Sequence, residues 1–114
     1  MQRKGTKNTR VANTRERAFQ GWVKERDCGY CGSEGPCIVD HAFGATLKHN
    51  KTLIGHWLVT PKCVRCDAIK TLGNRKWHNE QTGKKESECW LEIISEYPHD
   101  VPEDVIDAIK DWGK

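Results

Sequence analysis

Two Cys-x-x-Cys pairs, Cys28/Cys31 and Cys63/Cys66, constrain this chain more than any other feature. A two-residue spacer lets both sulfurs of a pair turn toward one ion, and two such pairs can close a tetrahedral zinc site with Zn–S bonds of about 2.3 Å. The same clip would draw together the dipeptide Asp40-His41, which lies between the pairs, and Asp67, which directly follows the last cysteine.

The clip matters because the apolar endowment is thin. The chain has 114 residues, enough for one domain, with 36% hydrophobic against 31% charged residues. A structural zinc contributes on the order of ten kcal/mol or more of apparent binding energy to folding, which exceeds the net stability of most domains of this size. The six cysteines would also allow three disulfides, as in small secreted scaffolds, but that reading needs a secretory context. Residues 1 to 12 are basic and polar with no apolar run, so neither a signal peptide nor a membrane span is expected. A reducing cytoplasm is the expected location, and there paired cysteines more often bind metal. A thioredoxin-type redox pair at Cys28-Gly29-Tyr30-Cys31 would want a βαβ context that the pattern lacks. Cys37, in a β-prone run, and Cys89, in a helical apolar stripe, read as buried apolar side chains, with Cys37 the spare ligand.

The net charge of +3 hides a polarity along the chain. Residues 1 to 17 carry six basic groups and one acidic, residues 18 to 85 eleven basic and six acidic, and residues 86 to 114 two basic and nine acidic. An uneven field of this kind suits a protein that presents its first three quarters to phosphates and its tail to solvent or a protein partner. The bland reading is a solvated surface.

Residues 1 to 12 read as a flexible basic arm with Arg3, Lys4, Lys7 and Arg10, and residues 13 to 114 as a single domain. Asn13 with Glu16 matches a capping box, and Ala18, Phe19, Trp22 and Val23 fall at helical spacing, predicting a helix over about 14–26. Cys37, Ile38 and Val39 form a β-prone run ending at Asp40-His41, residues 44 to 55 read as a polar loop, and Trp57 to Thr60 form a second β-prone run closed by Pro61. Val64 to Leu72 can be helical, with Gly73-Asn74 as its stop. Two more helices are expected, over 86–97 and from Pro102 to Trp112, each with an apolar stripe. His49 and His99 read as exposed loop residues, and His78 as either a surface residue or a support for the site.

The order strand, Asp-His, loop, strand, Cys-x-x-Cys-Asp, helix resembles the HNH (His-Me finger) endonucleases, through CGYC, VDH, HWLVTPKCVRCDAIK and GNR in residues 28 to about 75. The stretch HNEQTGKKESECW, with His78, Gly83, Glu86 and Trp90, more loosely resembles phage HNH nucleases of the recombination-enhancing, Ref-like group. The first resemblance implies an α+β fold, a small zinc-stapled ββα-metal domain with flanking helices, with its core over about 28–75 and C-terminal helices over 86–112. It also implies metal-dependent hydrolysis of phosphodiester bonds in DNA with low sequence specificity, leaving a 5′-phosphate. The second suggests a phage or prophage source acting in a bacterial cytoplasm.

Phosphodiester cleavage needs a base to activate water and a cation to hold the scissile phosphate and offset charge on the leaving oxygen. His41 is the candidate base, because an imidazole titrates near pH 6.5. Asp40 and Asp67 are the candidate ligands of a catalytic Mg²⁺ or Mn²⁺, since hard carboxylate oxygens suit such ions, and Cys28, Cys31, Cys63 and Cys66 would hold structural Zn²⁺. Two letters depart from the family pattern. Asp67 stands where His or Asn is usual, and His56, with Asn50 as rival, stands at the central position that normally orients the base. Lys62, Arg65, Lys70, Arg75 and Lys76 cluster near the expected helix as contacts to DNA backbone phosphates, and Trp57 and Trp77 are expected to be buried rather than stacked on bases. The acidic C-terminal helices are a possible protein-docking surface, and no membrane association is expected. The rival class is a non-catalytic zinc-binding DNA-binding or adaptor protein on a degenerate HNH scaffold.

Overall fold

The computed structural model describes residues 12–42 and 47–114. The basic arm, apart from Ala12, and with it Arg3, Lys4, Lys7 and Arg10, lies outside the described residues. The architecture is α+β, with five α-helices and two small antiparallel sheets among the described residues.

Helix α1 (Thr14–Lys24) starts where its capping signal lies: Glu16 N–H donates to Asn13 Oδ1 at 2.9 Å, and Asn13 N–H donates back to Glu16 Oε1 at 2.9 Å. Its inner face sets Phe19 and Val23 into the main core. Phe19 packs among Trp22, Trp57, Trp90 and Tyr97, with ring centroids 4.9 to 6.3 Å away.

Strand β1 (Ile38–His41) carries the Asp-His dipeptide at its end. It pairs antiparallel with β4 (Val59–Lys62), in a register that sets Asp40 opposite Thr60 and His41 opposite Val59. Pro61, expected to close the second strand, lies inside it opposite Val39. A two-stranded sheet tolerates this because each strand has an edge on which the missing N–H costs no ladder bond. Trp57, expected in the strand, instead ends a 3₁₀ turn (Gly55–Trp57) that precedes it. Trp57 is buried, and its carbonyl accepts from Trp90 Nε1–H at 2.6 Å.

The segment read as a loop contains a second hairpin, β2 (Lys48–His49) with β3 (Thr52–Leu53). Its turn residues Asn50 and Lys51 both have positive φ, 51° and 66°, the backbone of the tight hairpin turn whose twist matches the strands. Without the usual glycine, that signal was weak in the sequence. His49 is therefore not a free loop residue: its Nε2 lies 2.7 Å from Asp111 Oδ2, and Asn50 donates to the same oxygen at 3.0 Å.

Helix α2 (Val64–Leu72) follows β4 through the second cysteine pair. Beyond the Gly73-Asn74 stop the chain forms a further helix, α3 (Arg75–Thr82), that the sequence reading does not contain. Asn74, read only as part of a stop, is also its N-cap, accepting from Trp77 N–H, and Gly83 ends it in the left-handed conformation at φ 74°. Helix α4 (Glu86–Ile94) stops before the predicted boundary, and α5 (Glu103–Trp112) begins just after Pro102. Trp90, Ile93, Val105, Ala108 and Ile109 close the core from this side. No helix among the described residues is long and apolar enough to cross a membrane.

Candidate functional site

The four paired cysteines converge. One ligand atom from each of Cys28, Cys31, Cys63 and Cys66 lies within 4.8 Å of every other, and Cys31 and Cys63 Sγ are 3.6 Å apart. Tetrahedral zinc with bonds of about 2.3 Å needs sulfurs about 3.8 Å apart, so this donor set fits a structural zinc in both chemistry and spacing. Local geometry builds each half. In the first knuckle Gly32 N–H donates to Cys28 O at 3.0 Å, a turn that Gly32 permits with φ 78°. In the second, Cys63 is the N-cap of α2 and its sulfur accepts from Cys66 N–H at 3.5 Å, placing thiolate charge at a helix N-terminus.

The first knuckle is joined to β4 and packs on α4. Gly29 N–H donates to Pro61 O at 3.0 Å, and a Cβ at Gly29 would lie 2.4 Å from Cys89 Sγ, so a larger residue there requires Cys89 to move. The Ser33 hydroxyl and N–H lower the Cys31 thiol to about 6, favouring the thiolate that a metal binds. Cys37 packs against Cys28 and Cys66, and burial followed by the neighbouring sulfur charges pushes its thiol up to about 11. It is outside the converging set, and Cys89 is fully buried on α4 beside Gly29.

His41 and His56 meet beyond the hairpin. His41 Nε2 and His56 Nδ1 are 3.0 Å apart, with the rings nearly perpendicular at 76°. An N–H···N bond requires that one of these two nitrogens carry a lone pair, so the pair cannot be doubly protonated while it is bonded. Burial, then the charges of His56 and Lys70, hold His41 below its ordinary value of 6.5 against the opposing pull of Asp40. The 3₁₀ turn presents His56, and Gln20 fixes it by donating to its carbonyl at 3.0 Å. Asn50, the rival for this central position, is engaged with Asp111 instead.

Asp40 sits in a different setting from an open carboxylate. Its Oδ2 accepts from both Lys62 Nζ and Lys70 Nζ at 2.8 Å. Burial raises its pKa, but the two ammonium groups outweigh this and leave it lowered. Asp67, in the first turn of α2, is half-buried, and its N–H donates to Cys63 O at 3.0 Å. Among the described residues no group of three His, Cys, Asp or Glu other than the cysteines has all its ligand atoms within 4.8 Å. Asp40, His41 and Asp67, which the clip was expected to draw together, do not converge as the cysteines do.

Two of the expected phosphate contacts have their ammonium groups engaged inside the molecule. Lys62 has no exposed surface, and Lys70 directs its ammonium inward, to Asp40, Glu86 and the carbonyl of His41. The reason is local geometry. Lys62 lies on a strand buried along its length, and residue 70 falls on the inward side of α2 with Cys66. Arg65 and Lys76 are exposed, and the charge of Arg65 is reinforced by its bond to Cys31. The side chain of Arg75 lies outside the described residues. Trp77 is 42% exposed, contrary to expectation, while Val64 and Leu72 are exposed on α2.

His78, left open by the sequence, is fully buried and stands edge-on to Tyr30 with ring centroids 4.9 Å apart. Tyr30 in turn bonds Thr60 Oγ1 at 2.9 Å, so His78 supports the first knuckle from α3. Glu86, noted in the sequence only as part of the tail, accepts from both Lys62 and Lys70. No short-range pattern could have revealed that role. No family model, curated protein or solved structure matches this chain.

Proposed function

We propose that this chain is a metal-dependent endonuclease of the HNH type, acting on phosphodiester bonds in DNA. The observation that carries the reading is the His41–His56 bond at the end of a cysteine-clipped antiparallel pair followed by a helix. A neutral imidazole, held below its ordinary pKa and oriented by a second ring, is what a general base for water requires. His41 takes the proton of the attacking water, and His56 holds the ring in one tautomer and orientation.

Zn²⁺ at the four cysteines is structural. A catalytic Mg²⁺ or Mn²⁺, when bound, supplies charge for the scissile phosphate and the leaving oxygen. Asp40 and Asp67 are the carboxylates that would hold it. Such ions keep several waters and take phosphate oxygens directly, so one or two protein carboxylates suffice. The lysines on Asp40 Oδ2 would fix the orientation of that carboxylate, as partners of metal ligands commonly do. Arg65, Lys76 and Arg75 are the proposed contacts to DNA phosphates, and the acidic α4 and α5 the proposed face for a protein partner.

The capture of Asp40 by two ammonium groups favours a second reading, a zinc-binding DNA-binding or adaptor protein that does not cut. Nicking of supercoiled plasmid by the purified protein with Mg²⁺ or Mn²⁺ separates the two. Cleavage that His41→Ala abolishes supports the nuclease. A plasmid that is retarded on a gel yet left intact under both metals supports the adaptor.

A further inference from the structure

Four charged side chains inside the molecule form a closed ring of alternating sign. Lys62 on β4, Asp40 on β1, Lys70 on α2 and Glu86 on α4 are linked by four contacts, each of 2.8 Å. Asp40 Oδ2 and Glu86 Oε2 each accept from both ammonium groups. Lys62 has no exposed side-chain surface, and Glu86 has 1%. Charges this buried persist only when they are paired and hydrogen-bonded, and the ring balances two positive groups with two negative ones.

The ring reaches the histidine pair through one atom. A lysine ammonium has three N–H donors, and Lys70 directs its bonds to Asp40, to Glu86 and, at 3.1 Å, to the carbonyl oxygen of His41. Glu86 is therefore the anchor that α4 contributes to the group holding the His41 backbone. It lies outside residues 28–66, the segment clipped by the cysteines.

We propose that Glu86 is a positioning residue for His41, acting through Lys70, so that α4 is an integral part of the catalytic unit. The inference rests on the reading of His41 as the base. Removing the Glu86 charge leaves two ammonium groups facing one carboxylate. With or without Lys62, Lys70 then loses the anchor from α4 and no longer holds the His41 carbonyl in place. A displacement of about 1 Å at a catalytic group costs on the order of 100-fold in rate.

The test compares the zinc-loaded full chain with Glu86→Gln and with the charge-balanced double variant Lys62→Met/Glu86→Gln, which keeps the fold available should the single variant fail. Two readouts are taken: the N–H···N coupling between His41 and His56 by NMR, and kcat and KM for nicking of supercoiled plasmid with Mn²⁺. The expected result is a folded variant with the coupling lost, kcat lowered on the order of 100-fold, and KM changed by less than about threefold. A folded variant that keeps the coupling, or keeps the wild-type kcat, overturns the proposal. Unfolding of both variants overturns it too, making the ring an element of folding alone. If wild type does not cut, the nuclease reading fails by itself, and the His41–His56 coupling still decides whether Glu86 positions the ring.

Discussion

Lys62, with no exposed surface, holds its ammonium 2.8 Å from Asp40 Oδ2. A cation on a strand buried along its whole length is stable only because Asp40 and Glu86 meet it there. Lys62→Ala strips both carboxylates of one partner and is expected to cost about 3–5 kcal/mol of stability. Lys62→Met/Glu86→Gln, which removes one charge of each sign, is expected to cost clearly less. Denaturant titration at fixed zinc measures both, and equal losses would show that charge balance is not what holds the ring.

Zinc content should follow the converging sulfurs and no others. Wild type and Cys37→Ser are expected to bind about one zinc per chain, while Cys63→Ser loses the ion and the second knuckle loosens. Metal analysis alongside circular dichroism checks this. A Cys37→Ser protein without zinc would assign the fourth ligand differently.

Acid should weaken the fold through its buried imidazoles. Burial first, and then Lys62, lowers the pKa of His78, and burial, then His56 and Lys70, lowers that of His41. The folded values therefore lie below the unfolded value of 6.5, and the unfolded chain takes up protons first. Stability from these groups is complete above pH 6.5 and declines as the pH falls through and below it. NMR titration of the ring protons should place both midpoints below 6.5, and a midpoint above it for either ring contradicts the burial argument.

Exposed and buried cations should separate in DNA binding. Arg65→Ala and Lys76→Ala are each expected to reduce the slope of log K against log salt by about 1, because each releases one phosphate contact. Lys62→Met is expected to leave that slope unchanged, since its ammonium cannot reach a phosphate. Fluorescence anisotropy across a salt series reads all three.

His56 is expected to act through its ring nitrogen. His56→Ala should lower nicking on the order of 100-fold, and His56→Asn, which keeps a side-chain hydrogen-bonding group, should recover part of the loss. A wild-type rate in His56→Ala would remove His56 from the orientation of His41.

Much of the local structure was legible because its causes are local. The Asn13–Glu16 box, the cysteine spacing with Gly32 and the stripes of α4 and α5 each need only a few neighbouring residues, and each lies where its chemistry predicts. A residue with two uses signals only one of them in the sequence. Asn74, with Gly73, signals the end of α2, and its side chain also begins α3. The hairpin turn at Asn50-Lys51 lacked the glycine that usually marks one.

By itself, the sequence determined the cysteine clip, the strand that carries Asp40-His41 and the helix behind it, because spacing and periodicity act over short distances. Only the tertiary structure decided what surrounds those residues. A lysine's identity favours the surface, so Lys62 and Lys70 read as DNA contacts until Asp40 and Glu86, 16 to 30 residues away, turned them inward. The pairing of His41 with His56 across 15 residues belongs to the same class. Burial makes such pairings strong, and burial depends on which elements pack together.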